Sequence, residues 1–168
     1  MFVGLGSNLN SPVDQVRQAL KAIAEIDGVA LRSVSRLFHS APMGPQDQPD
    51  YVNAVAWVES ELQPLELLSR LQEIELSQGR DRNAGLRWGP RTIDLDLLAW
   101  GASVIDEANL NIPHPGIADR EFVLHPWLDL APEFAIPGLD TVKALADKVP
   151  LRGMRPMEHA STPASVEA

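Results

Sequence analysis

Apolar positions in this chain follow two different periods, and the switches between them mark out its elements. Val16, Ala19, Leu20, Ile23 and Ile26 recur at helical spacing. Ser11 stands before them as a cap, Pro12 as a first helical residue, and Gly28 stops the run. Leu67, Leu68, Leu71 and Ile74 repeat the spacing behind Pro64, with Gly79 closing that helix, and a last helix is predicted around Thr141 to Lys148. Strand-like alternation occupies Phe2 to Leu5, the stretch from Val29 to Phe38, Tyr51 to Glu59 and Thr92 to Trp100. A shorter strand is expected near Val104 and Ile105, after a turn at Gly101.

The remaining segments carry breakers. Ser40 to Asp50 is rich in proline and too irregular to pair in a sheet, and residues 80 to 90 form a polar loop. Gly6-Ser7-Asn8 reads as a turn, and a proline-punctuated stretch leads to the last helix. Beyond Arg152 no apolar period is left, so that tail is expected to fray.

The order strand-helix-strand-strand-helix-strand predicts an α+β, ferredoxin-like fold, an antiparallel sheet with helices packed on it in three α/β/α layers. One domain over 1–151 and a tail over 152–168 are expected. That fold hosts many activities and selects none of them.

Composition narrows the classes. Hydrophobic residues make up 45% and charged residues 22%, the mix of a globular chain. With no cysteine, any metal must be held by oxygen or imidazole. No apolar run approaches the roughly 18 residues of a membrane span, and no signal-like start is visible, so a cytoplasmic protein is expected. A monomer is expected as well. A net charge of -9 argues against a nucleic-acid partner. Yet Arg80, Arg82, Arg87 and Arg91, four of the 14 basic residues, fall in one short stretch. Such a cluster in an acidic protein can focus a small polyanion.

Directly after those arginines comes Thr92-Ile93-Asp94-Leu95-Asp96-Leu97-Leu98. Alternation puts Asp94 and Asp96 on one face of a strand, with Ile93, Leu95 and Leu97 on the other. Their Cα atoms then lie roughly 6.5 to 7 Å apart. Carboxylates at that spacing can share a pair of magnesium ions about 3.5 to 4 Å apart. A solvent-facing polar stripe is the commoner fate of such a pair, but this stripe runs on into Leu98 and Trp100. Magnesium also prefers a few carboxylates plus substrate phosphates, which suits the neighbouring arginines. There is no P-loop motif, and Gly4-x-Gly6 fails as a dinucleotide fingerprint because Leu9 takes the place of the third glycine.

Arg87-Trp88-Gly89-Pro90-Arg91-Thr92-Ile93-Asp94-Leu95-Asp96-Leu97-Leu98 closely resembles the signature of the 6-hydroxymethyl-7,8-dihydropterin pyrophosphokinase family. Further stretches resemble family motifs in the same order. They are Gly6-Ser7-Asn8-Leu9, Pro42-Met43-Gly44 with Tyr51-Val52-Asn53-Ala54, and Ile74-Glu75 with Gly79-Arg80-Asp81-Arg82. Ile112-Pro113-His114-Pro115 and Arg120-Glu121-Phe122-Val123-Leu124 complete the set, which runs from the start to about Pro132.

The resemblance implies an ATP-dependent diphosphotransferase of folate biosynthesis, using ATP as co-substrate and two Mg2+ ions. Asp94 and Asp96 would hold the metals, and Arg80 and Arg91 would act in catalysis beside them. Gln72, Arg80, Arg82, Trp88, Arg91, Leu97, His114 and Arg120 would contact ATP. The pterin would lie between Tyr51 and Phe122, with Asn53 reading its polar edge. Main-chain groups at Ser40, Ala41 and Met43, together with Trp88 and Asp94, would complete its site. The loops 40–50 and 80–90 would close over bound nucleotide. Ser40 stands where the family commonly has threonine, which keeps the hydroxyl. Without the resemblance, Phe122 would be core, His114 structural, and Gln72 with Glu75 a solvated helix face.

Two other classes are open to the residues alone. A nucleotidyltransferase pairs Gly-Ser with Asp-x-Asp at close sequence range, whereas Ser7 and Asp94 are most of the domain apart. A non-catalytic ligand-binding module would need no paired carboxylates beside arginines.

Overall fold

A computed structural model describes residues 1–42, 44, 46–80 and 92–158. The first strand, β1 (Phe2–Ser7), is central, because both neighbours pair with it antiparallel: β4 (Tyr51–Ser60) on one side and β5 (Asp94–Ala99) on the other. Beyond β4 lie β2 (Val29–Val34) and β3 (Phe38–Ser40), which share its outer edge end to end. The predicted single strand from Val29 to Phe38 is thus broken. Buried Ser35 causes the break: its Oγ accepts the Val55 N–H at 2.9 Å and donates to Arg36 O at 2.8 Å, taking over the role of a ladder partner.

Helices cover both faces, as the layered fold requires. α1 (Pro12–Ala24) and α2 (Pro64–Ser77) seal one face, where Val16, Leu20, Ile23, Leu67 and Leu71 meet Val3, Leu5, Leu95 and Leu97. On the other face α3 (Glu121–Leu128) and α4 (Val142–Lys148) bring Val123, Leu124, Trp127 and Val142 against Phe2, Val55 and Leu98. Trp127 is fully buried, its ring 4.9 Å from that of Phe2 and 5.7 Å from that of Phe134. Burying a side chain of that size contributes on the order of 3 kcal/mol. No helix of the described residues is long and apolar enough to cross a membrane.

Several local expectations are corrected. Ser11 precedes α1 but adopts a left-handed conformation (φ 60°), and its side chain caps nothing; only its carbonyl accepts, from Gln15 N–H. α3 lay in the stretch read as proline-punctuated loop, since Pro126 within it looks like a breaker; burial of Val123, Leu124 and Trp127 outweighs that cost in a helix of eight residues. The short strand after Gly101 is Ile105–Glu107, here β6, and it forms a hairpin with β7 (Leu110–Ile112). Trp100 does not continue the Asp94–Asp96 stripe. Phe2 pairs with Ala99 but Val3 with Leu97, so Leu98 is an extra residue, and this bulge sends Trp100 to the α1–α2 side.

The tail beyond Arg152 does not fray as far as Met157. Arg155 and Pro156 form a two-residue strand, β8, on the free edge of β3, and Met154 is buried. Satisfied edge groups and one buried methionine hold this segment without any helical or strand periodicity.

Candidate active site

A pocket opens between the α3 end of the molecule and the sheet face carrying Asp94 and Asp96. Its floor is β1, its sides β4 and β5, and its roof the start of α3. The register explains its depth. Gly6 stands opposite Asn53 on β4 and Asp94 on β5, while Gly4 stands opposite Val55 and Asp96. Cross-strand side chains normally fill such positions, their Cβ atoms about 5 Å apart. Glycine at 4 and 6 leaves that space open. The sequence reading places neither glycine in the pocket floor; a signal was nevertheless present, since glycine inside a strand marks a close approach.

Asp94 and Asp96 do share the pocket face, and their side chains keep 22% and 35% exposure. Arg80 reaches Asp94 at 2.6 Å and is also ion-paired to Glu75, which is almost wholly buried. Local geometry delivers it there. Gly79 ends α2 at φ 88°, and this left-handed turn lets the Arg80 N–H bond back to Glu75 O at 3.0 Å. The guanidinium is then clamped between two carboxylates and only 10% exposed. Glu75 therefore does not lie on a solvated face. It follows Leu67 and Leu71 at intervals of four, on the buried stripe of α2, which was the available signal.

On the β4 side, Tyr51 and Asn53 point into the pocket together, as strand alternation predicts. The Asn53 amide donates to Ser40 Oγ on β3, both groups being buried, and this bond fixes which end of the amide faces Gly6. Ala41 and Phe122 also line the pocket. The 40–50 loop is held from below: Asn8 donates to Gln48 Oε1 and to Pro49 O, each at 3.0 Å. Asn8 is thus a buried anchor, and the expected turn is corrected for Gly6 and Ser7, which belong to β1.

His114 comes to the site along β5, its N–H bonding Leu98 O at 2.9 Å, and its Nε2 lies 3.9 Å from Asp96 Oδ2. Burial, aided by the nearby Arg120 charge, holds its imidazole below the usual pKa; the Pro115 backbone and Asp94 partly offset this. Arg120 lines the pocket and lies over Gly116, whose missing Cβ would meet the guanidinium at 3.4 to 3.6 Å. Among the described residues no group of three or more His, Cys, Asp or Glu could cage a metal. Two partly exposed carboxylates on one strand face fit a hard divalent cation that completes its shell with phosphate and water.

Residues 2–132 match the model of the family described as 7,8-dihydro-6-hydroxymethylpterin-pyrophosphokinase (HPPK). The chain belongs to this family. It is 48% identical over 150 residues to the 2-amino-4-hydroxy-6-hydroxymethyldihydropteridine pyrophosphokinase of Haemophilus influenzae, covering 87% of this chain and 92% of that one. Its identity to the Pseudomonas aeruginosa protein of the same name is 45% over 154 residues, covering 92% and 94%. A crystal structure of Plasmodium falciparum HPPK-DHPS shares the fold, with a TM-score of 0.65 at 16% identity. That match covers 88% of this chain and 43% of the longer Plasmodium chain.

Not every residue implied by the pyrophosphokinase resemblance meets at the pocket. Leu97 is buried in the core on the opposite face, and Gln72 sits half-buried on α2. Met43, Arg82, Arg87, Trp88 and Arg91, with the expected closure of the 80–90 loop, lie outside the described residues.

Proposed function

We propose that this pocket transfers the β,γ-diphosphate of ATP to the hydroxymethyl oxygen of 6-hydroxymethyl-7,8-dihydropterin, releasing AMP and the pterin diphosphate. One observation supports it above the others: Asp94 and Asp96 face Tyr51, Asn53 and Phe122 across a single pocket, in a chain of the pyrophosphokinase family. Phosphate chemistry and a flat heterocycle need opposite walls, and this pocket has both.

On this reading the Tyr51 and Phe122 rings flank the pterin, and the Asn53 amide, fixed by Ser40, pairs with its polar edge. Arg80 and Arg120 grip phosphate oxygens; Arg80 must then exchange part of its Asp94 contact for substrate. Burial disfavours the charged form of His114, so its role on this reading is a hydrogen bond to the nucleotide. Asp94 and Asp96 would hold two magnesium ions, which when bound neutralise charge on the phosphates. Alignment of the attacking oxygen with the β-phosphorus supplies the remainder of the rate enhancement, as in phosphoryl transfer generally. The enzyme would act as a cytoplasmic monomer.

Incubation with ATP, magnesium and the hydroxymethyl pterin, followed by separation of nucleotides, tests this. AMP formed in step with pterin diphosphate is expected. ADP, free pyrophosphate or the absence of a pterin-dependent product would overturn it.

A further inference from the structure

We propose that residues 152–157 form a strap that positions the two walls of the pterin pocket, with Arg152 as its charged anchor; this rests on the pterin reading of that pocket. The strap touches one wall through β3. Arg155 and Pro156 pair with His39 and Phe38, and the Met157 N–H bonds Leu37 O at 2.9 Å. Ser40, which fixes Asn53, is the next residue along β3. The strap touches the other wall through α3. Arg152 Nη1 lies 3.7 Å from Glu121 Oε2, and Glu121 directly precedes Phe122. Arg152 and Gly153 take left-handed conformations (φ 51° and 79°), which turn the chain between the two anchors and seat Met154 in a buried position.

The charges favour a specific tie over a chance surface pair. Glu121 keeps only 7% side-chain exposure and its Oε2 accepts no hydrogen bond, so Arg152, an ion pair at 3.7 Å, is the cation that offsets its charge among the described residues. A carboxylate so far out of water needs such a partner. The far end of α3 is tied separately: Arg36 holds Asp129 with its backbone N–H at 2.9 Å and its guanidinium at 3.0 Å. That hydrogen bonding raises the Arg36 pKa above its usual value. α3 is therefore fixed to the β2–β3 edge at both ends, and the strap controls the end that carries Phe122.

The test compares Arg152→Ala, Arg152→Lys and the double variant Arg152→Ala with Met157→Pro, which also removes the N–H given to Leu37. Tyr51→Ala serves as the pocket control. The strap predicts that KM for the pterin rises about threefold in Arg152→Ala and about tenfold in the double variant, since small misplacements of binding groups are costly. KM for ATP should stay within about twofold, and Arg152→Lys should restore the pterin value. If the double variant fails to fold, Arg152→Ala decides, because its side chain is half-exposed and its loss leaves the sheet intact. An unchanged pterin KM, a parallel rise for both substrates, or no rescue by lysine overturns the strap. If Tyr51→Ala also leaves the pterin KM unchanged, the pocket assignment falls with it; if Tyr51→Ala raises it, only the strap fails.

Discussion

Arg80 binds Asp94 at 2.6 Å while also holding buried Glu75, so one guanidinium joins the end of α2 to β5, the strand that carries Asp94 and Asp96. Removing it takes the Arg80 ion pair from Glu75 at a site with almost no solvent. Arg80→Ala should lower stability by about 3 kcal/mol, the usual result of breaking a buried pair from one side. Arg80→Lys should recover only part of that, because a single ammonium cannot match the planar fork that spans two carboxylates. Urea unfolding without nucleotide measures both. Wild-type stability in Arg80→Ala would mean that the clamp is not a structural tie.

The same contact separates the two aspartates. Both variants, Asp94→Asn and Asp96→Asn, should lose most turnover. Asp94→Asn also weakens the Arg80 clamp and should cost about 1 kcal/mol in metal-free buffer. Asp96→Asn leaves that clamp in place and should cost less stability than Asp94→Asn. Melting curves in chelator, set beside activity in magnesium, check the difference. Identical melting behaviour would show that Arg80 does not discriminate between them.

Asn53 and Ser40 form a buried side-chain pair whose geometry decides how the amide faces the pocket. Ser40→Ala leaves an amide N–H without that acceptor and should cost about 1 to 2 kcal/mol, with a raised pterin KM. Ser40→Thr keeps the hydroxyl and should behave like wild type. Equal pterin KM in both variants would remove Asn53 orientation from the account.

Much of this architecture is legible in the amino-acid order. Helical spacing around Val16 and Leu67 and alternation through Tyr51 and Asn53 report burial against a sheet, and burial is what periodicity measures. That Asp94 and Asp96 share one strand face was recoverable for the same reason. Features set by single long-range bonds were not. Ser35 breaks a strand by bonding Val55, Asn8 anchors a loop 40 residues away, and β8 pairs with β3 across most of the chain. None of these leaves a local pattern. The Leu98 bulge hides likewise, because an extra residue alters alternation only relative to a partner strand.

Gly4 and Gly6 differ sharply in what a methyl group would meet, and this gives the most selective test of the pocket. At Gly6 an added Cβ would lie 2.9 Å from Asn53 Oδ1, a separation real Cβ atoms do not tolerate. Asn53 cannot simply swing aside, since its amide is bonded to Ser40. At Gly4 the nearest atoms are the Leu98 methyls at 3.4 and 3.5 Å, close to ordinary packing distance. Neither glycine has a positive φ, so backbone strain does not enter. Gly4→Ala should therefore be neutral or stabilising by up to about 1 kcal/mol through the unfolded chain. Gly6→Ala should displace Asn53 and raise the pterin KM by about tenfold or more, with KM for ATP much less affected. Calorimetry with the pterin alone, then with a non-hydrolysable ATP analogue, separates the two effects. Equal losses of pterin affinity at both positions would mean that the open floor beneath Asn53 does not hold the ring.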